Sequence, residues 1–212
     1  MNNATTAQAM YALGINQVAN LINTIGHHTT VLVQGDMGTG KSSILKILAA
    51  LRPTHQPVYF DGTTKVDSAD MFMVKYSEDG LTFKTVPLDE LGLHLPEQPI
   101  ILMLDELGKC NRSVMLACNR LMLERKHSGY ELHPDSLLFA TTNKGTEGVG
   151  DLLPAHTRNR ITVVTMRKSD NMEWIEWGIN NDIDPILLGF CKEHPELFHS
   201  FEQYENPDEN PY

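Results

Sequence analysis

The stretch Gly35-Asp36-Met37-Gly38-Thr39-Gly40-Lys41-Ser42 has the residue types and spacing needed to hold a chain of phosphates. It fits the pattern G-x-x-x-x-G-K-[ST]. Its glycines let the backbone curl so that successive N–H groups point inward at phosphate oxygens. A helix starting near Gly40 adds its positive end to the same anion site. Lys41 supplies a point charge for the β- and γ-phosphates, and Ser42 offers a hydroxyl to Mg²⁺. The predicted phosphate contacts run from Gly35 through Ser43.

A second constellation is Ile100-Ile101-Leu102-Met103-Leu104-Asp105-Glu106, an apolar run that ends in two adjacent carboxylates. Asp105 at such an end can hold a Mg²⁺ shell, directly or through water. Glu106 can then polarise an attacking water. Ala140-Thr141-Thr142-Asn143 follows another apolar run, and Asn143 is expected to emerge between the ends of the first and third strands. There its amide could hold the γ-phosphate or orient the water. Further on, Leu152-Leu153-Pro154-Ala155-His156-Thr157-Arg158-Asn159-Arg160 carries two close arginines before the last strand. Spacing alone leaves open whether Arg158 and Arg160 are solvated structural residues or stabilise charge on a phosphoryl group bound by a neighbouring subunit.

These residues need elements to position them. Thr30 to Gln34 is short, apolar and β-branched, and reads as a buried strand before the loop. Ser43 to Leu51 is built from helix formers and stopped by Pro53. Residues 5–26 read as a leading helix with Ile15, Val18, Ile22 and Ile25 on one face. Pro57–Asp61, Ile100–Leu104, Ser136–Ala140 and Ile161–Val164 read as further strands, and residues 112–126 as a helix. Met73–Tyr76 and Leu81–Val86 flank Ser77-Glu78-Asp79-Gly80, a hairpin signal. From Asp170 the period is helical again. Residues 205–212 lack core-building content and read as a tail. Strands separated by helices imply a parallel sheet covered on both faces, with ligands at the carboxyl ends of its strands.

Composition narrows the function classes. The chain has 212 residues, an apolar fraction of 41% and a net charge of −10 from 17 basic and 27 acidic residues. Glu193 to Tyr212 holds six acids and no Lys or Arg, which leaves the rest at −4, with 17 basic against 21 acidic residues. A mildly acidic body argues against a broad nucleic-acid surface but leaves a local basic groove open. Three cysteines without a C-x-x-C pair fit a reducing compartment. No Lys or Arg precedes Lys41 and no apolar run is long enough to span a membrane, so a cytoplasmic protein without membrane contact is expected. The nine histidines form no metal-ligand pattern, and His27-His28 reads as an exposed pair.

The ordered set GDMGTGKS, ILMLDEL, FATTN and LLPAHTRNRI resembles the AAA+ ATPases. It is most similar to the MoxR-like branch, akin to dynein-related and MCM-like modules. The likeness covers roughly residues 5–201. It implies a P-loop NTPase α/β fold, a three-layer sandwich with a five-stranded parallel sheet. That core would occupy residues 1–168, with a partial helical lid and acidic tail over 169–212. Lys41 and Ser42 then belong to the first nucleotide motif, Asp105 and Glu106 to the second, and Asn143 to the polar sensor on the fourth strand. Arg160 matches the arginine finger that acts across a subunit boundary, with Arg158 as its alternative. The resemblance also implies ATP and Mg²⁺ as cofactors and assembly as a homo-oligomeric ring, usually a hexamer. Protein partners in that branch often carry a von Willebrand A-type domain.

Two departures stand out. Ile161 replaces the aromatic usual after the finger arginine, and no Arg or Lys follows Lys192, so the chain is expected to stop part-way through the lid. The expected function is Mg-dependent ATP hydrolysis between subunits, coupled to remodelling of a protein partner. A nucleic-acid motor or loader, a nucleotide-gated assembly module with little hydrolysis, and more weakly a small-molecule kinase share the same phosphate loop. An insertion at the 74–86 hairpin can face the ring pore in the related branch. Tyr76 or Phe83 is therefore expected to touch a remodelled partner, which partner-stimulated hydrolysis by alanine variants would test.

Overall fold

A computed structural model of the chain describes residues 11–143, 153 and 159–198. Five parallel strands form the central sheet: β1 (Val31–Gly35), β2 (Gln56–Asp61), β5 (Ile100–Asp105), β8 (Leu137–Asn143) and β9 (Thr162–Thr165), in the order β2-β5-β8-β1-β9. This is the P-loop NTPase α/β sheet. The strand that carries the phosphate loop lies second from one edge, beside β8.

Alternation along each strand sends side chains to two separate cores. Leu32, Val58, Phe60, Leu102, Leu104, Leu138 and Ala140 pack with Val114, Cys118 and Leu121 of helix α3 (Arg112–Glu124). On the other face, Val31, Val33, Ile101, Met103, Leu137 and Phe139 pack with Val18 and Ile22 of α1 (Ile15–Ile25) and with Ile44 and Leu48 of α2 (Ile44–Leu51). The result is three layers. The same parity carries on past the apolar run, so Asp105 follows Met103, and Thr141 and Asn143 follow Phe139, to the α2 side. Period 2 thus brings the polar strand ends to the face that holds the phosphate loop.

The leading helix begins later than its apolar period suggests. Leu13 instead joins the sheet edge as an isolated parallel bridge to Met166, donating to the Thr165 carbonyl and accepting from the Arg167 N–H. Gly14 is the N-cap, and its N–H donates to the Gln17 side chain at 2.9 Å. Residues 5–10 of the expected helix lie outside the described residues. At its other end, the predicted helix over 112–126 stops at Glu124, because Arg125 turns left-handed with φ 55°.

Two small antiparallel ribbons branch from the sheet. The expected hairpin is β3 (Phe72–Tyr76) with β4 (Phe83–Pro87), and it pairs Tyr76 with Phe83 and Lys75 with Lys84. A shorter ribbon of β6 (Lys126–His127) and β7 (Tyr130–Glu131) turns through Ser128 and Gly129, both at positive φ (50° and 85°). That geometry suits a two-residue hairpin.

By its contacts the chain divides into two units, 1–168 and 169–212. The second holds α4 (Asn171–Ile179), α5 (Pro185–Glu193) and α6 (Pro195–Phe198). Asp170 caps α4 by accepting from the Glu173 N–H at 2.8 Å while the Glu173 carboxylate accepts from the Asp170 N–H. Asp184 caps α5, with Pro185 in its first turn. The acidic stretch beyond residue 198 lies outside the described residues. Among those that are described, no helix is long and apolar enough to cross a membrane.

Candidate active site

The loop after β1 turns on two glycines at positive φ, Gly38 (73°) and Gly40 (88°). These are backbone states that side-chain-bearing residues adopt only at a cost. The first helical turn after Gly40 is a tight 3₁₀ turn over Lys41–Ser43, and α2 proper starts at Ile44. The expected helix near Gly40 therefore begins one turn tighter than an α-helix. Gly35 is packed so closely that an added Cβ would meet the Met166 carbonyl at 3.0 Å and the Thr39 hydroxyl at 3.1 Å. Thr39 Oγ1 in turn donates to the Asp36 carbonyl at 3.0 Å and ties the loop to itself.

Gly40 has room for a methyl group, since an added Cβ would only reach ordinary contact with Ile15. Its cost is conformational, about 1 kcal/mol for a left-handed non-glycine residue. Gly40→Ala is therefore expected to weaken MgATP binding several-fold in a titration with a fluorescent ATP analogue. Unchanged affinity would mean that the loop's left-handed turn does not shape the site.

Lys41 is buried, 8% exposed, beneath the loop. Its ammonium donates to the carbonyls of Gly35 (2.9 Å) and Asp36 (2.8 Å). Burial pushes its pKa down, while the carboxylates of Asp105, Asp36 and Glu106 pull the other way. Asn143 closes β8 in register with Gly35, which sets its amide beside the first loop glycine. It thus emerges between the β1 and β5 ends, as its place in the sequence suggested.

Asp105 is the hub. Its Oδ1 accepts from the Thr141 hydroxyl, and its Oδ2 accepts from the Tyr59 hydroxyl at 2.9 Å and from Ser42 Oγ at 3.4 Å. Burial, with the bond to Asp105, pushes the Tyr59 phenol up to about 12, so it stays protonated at neutral pH. Glu106 takes a left-handed backbone (φ 47°, ψ 40°) that swings its side chain off the strand. Its N–H donates to Thr141 Oγ1 at 3.1 Å. Both carboxylate oxygens accept from Lys109 Nζ at 2.7 Å, and Oε1 lies 3.5 Å from Asn143 Nδ2. Cys110 sits against this turn, but burial and the nearby carboxylates raise its thiol to about 11, which leaves it inert at neutral pH.

A Mg–nucleotide fits this donor set. Two left-handed glycines make a cradle of backbone N–H groups, and a buried ammonium lies under it. A hydroxyl and a carboxylate face each other at 3.4 Å, the all-oxygen ligation that Mg²⁺ prefers. Ser42 and Asp105 would hold the ion, and Gly35 through Ser43 would hold the phosphates.

Lys41, Ser42, Asp105, Glu106 and Asn143 thus come together. Arg160 does not join them. It is exposed, two residues before β9, and its carbonyl accepts from Thr29 Oγ1 at 3.4 Å. Thr29 precedes β1, six residues before Gly35. At about 3.3 Å per strand residue, Arg160 therefore lies about 20 Å from its own phosphate loop, at the opposite end of the sheet. Arg158 lies outside the described residues. Met37 is 72% exposed at the loop tip. His27 and His28 lie ring to ring at 3.8 Å, and no group of three or more potential metal-ligating side chains occurs among the described residues.

Sequence reasoning missed Tyr59, Thr141 and Lys109. Thr141 was reachable by counting back two residues from Asn143 along the same strand face. Tyr59 was not, because its role depends on β2 lying beside β5.

The AAA domain of the dynein-related subfamily matches residues 30–161, and the chain belongs to this family of AAA+ ATPases. Midasin of Giardia intestinalis is 25% identical over a 187-residue alignment that covers 83% of this chain and 4% of midasin. The chain thus spans a small part of the curated relative it matches. A solved structure of a candidate ATPase from Cytophaga hutchinsonii superposes with a TM-score of 0.54 at 19% identity, over 79% of this chain and 51% of the other. RuvB of Thermotoga maritima, a Holliday junction branch migration motor, gives 0.47 at 19% identity over 76% and 47%.

Proposed function

We propose that the chain binds MgATP and hydrolyses it at a boundary between copies of itself, and couples that turnover to remodelling of a protein partner as a MoxR-like AAA+ ATPase. The observation that carries this reading is a division of labour. Cradle, cation ligands, Glu106 and Asn143 converge at one end of the sheet, while Arg160 stands about 20 Å away at the other, out of reach of its own site. An arginine so placed does not reach its own site, and any phosphoryl group it meets belongs to a neighbour. In the proposed roles, Lys41 and the loop hold the triphosphate, and Ser42 and Asp105 hold Mg²⁺. The ion, once bound, neutralises charge on the β- and γ-phosphates. Glu106 takes the proton of the attacking water while Asn143 orients it. Arg160 of the next copy meets the charge that develops on the γ-phosphoryl group. The unit 169–212 is read as the lid, and the assembly as a ring.

The test is ATPase activity per chain against chain concentration, with Mg²⁺ and saturating ATP. Activity that rises with concentration, in step with an increase in particle size, is expected. Equal activity per chain from a verified monomer to the assembled state would overturn the shared site.

One observation favours a second reading, a nucleic-acid motor. On the exposed β3–β4 hairpin Tyr76 lies beside Phe83, with ring centroids 6.1 Å apart, and Lys75 stands opposite Lys84. The exposed rings on one face of the ribbon could stack on bases, and the lysine pair on its other face could meet phosphates. Turnover stimulated by single-stranded DNA or RNA, with steep salt dependence, would favour that reading. Stimulation by a protein alone would favour the first.

A further inference from the structure

Three hydroxyls from three separate parts of the fold meet on one carboxylate. Thr141 comes from β8 on one side of β5, Tyr59 from β2 on the other, and Ser42 from the turn after the phosphate loop. Thr141 is fully buried and fixed by its strand. Tyr59 is in register with Met103, so its ring lies diagonal to Asp105 on the same face of the sheet. Its neighbours Val58 and Phe60 point into the opposite core. Alternation along β2, together with its register against β5, therefore sends the phenol towards Asp105.

The two strand hydroxyls grip different oxygens of the carboxylate, Thr141 on Oδ1 and Tyr59 on Oδ2. Together they oppose its rotation. Each carboxylate oxygen accepts more than one hydrogen bond, so Oδ2 keeps capacity on the side where Ser42 approaches. Tyr59 as a residue is 47% exposed and lies outside both cores, yet its hydroxyl lies at a good hydrogen-bond distance, 2.9 Å.

We propose that Tyr59 is a positioning residue for the Asp105 carboxylate, and that its hydroxyl sets how tightly the site holds a divalent cation together with its nucleotide. This rests on the MgATP reading of the site. Tyr59 touches neither phosphate nor water in this role. It holds the group that binds the ion's shell, as outer-sphere partners do for metal ligands generally.

The test is Tyr59→Phe in the full chain, which removes one oxygen from a half-exposed residue. Binding of a fluorescent, non-hydrolysable ATP analogue is followed as Mg²⁺ is titrated. The Mg²⁺ concentration for half-maximal tightening is expected to rise about tenfold, in line with the loss of an outer-sphere ligand partner. Binding of the analogue in EDTA and the thermal midpoint should match the parent chain. A Mg²⁺ half-point equal to that of the parent overturns the proposal and leaves the MgATP site intact. A parent chain that shows no Mg²⁺-dependent tightening overturns the underlying reading instead, so the two failures are distinguishable.

Discussion

Glu106→Gln should keep ATP bound and cut its hydrolysis by about 10² to 10⁴, the range that a positioned general base supplies. Glutamine preserves the shape and one accepting oxygen of the two that face Lys109, but cannot take a proton from water. The substitution should leave the fold untouched, for two structural reasons. The Glu106–Lys109 pair is partly solvated, with the lysine side chain 54% exposed, and such pairs contribute little to stability. The left-handed backbone at position 106 is held by the turn that follows and by the N–H bond to Thr141, neither of which involves the carboxylate. Quantifying bound nucleotide and product in a single turnover would check this. Hydrolysis at the parent rate would assign the base elsewhere, and loss of binding would show that Glu106 shapes the cradle.

Arg160→Ala should lower turnover by about 10³ or more, because a guanidinium on the transferring phosphoryl group is worth 10³ to 10⁵ in related chemistry. Its own nucleotide affinity should change little, since the residue stands at the far end of the sheet from its own loop. The decisive experiment mixes the two inactive variants. In a mixed assembly, the loop of an Arg160→Ala chain can face the intact Arg160 of a Glu106→Gln chain. That boundary then holds every proposed group, so activity should return. No recovery in assemblies shown to contain both variants would move the role to Arg158 or to a residue acting within one chain.

Much of the fold was legible because its strands are short apolar runs between turn residues. Val31–Val33, Ile100–Leu104 and Leu137–Ala140 were found at their places, and so were the hairpin over 72–87 and the helix after Asn111. The partner of the edge strand β2 was not legible. Nothing local in Gln56–Asp61 states that it pairs with Ile100–Asp105, and that pairing is what brings a tyrosine to Asp105. Boundaries failed where a long-range bond outweighed a local period. Leu13 lies inside the expected helix over 5–26 but gains a sheet partner, and the fourth strand, expected to end at Ala140, runs on to Asn143. The loop and the two carboxylates could be read directly, since both depend on contiguous residues. The ribbon at Ser128-Gly129 escaped notice because each of its strands is only two residues long.

The strand β1 has a further consequence. It is flanked on both sides, by β8 and β9, and each rung between Val31 and Gln34 is paired in register with both neighbours. A rod braced in this way does not stretch. One end carries the cradle for a chain's own nucleotide, and the other, through Thr29, is tied to the backbone of Arg160. In the proposed assembly, the separation between the reaction a chain hosts and the reaction it serves is therefore a ruler cut into the polypeptide. Two extra residues in β1 would lengthen it by about 7 Å, more than a full turn of helix, and in the proposed ring would put every shared site out of step at once.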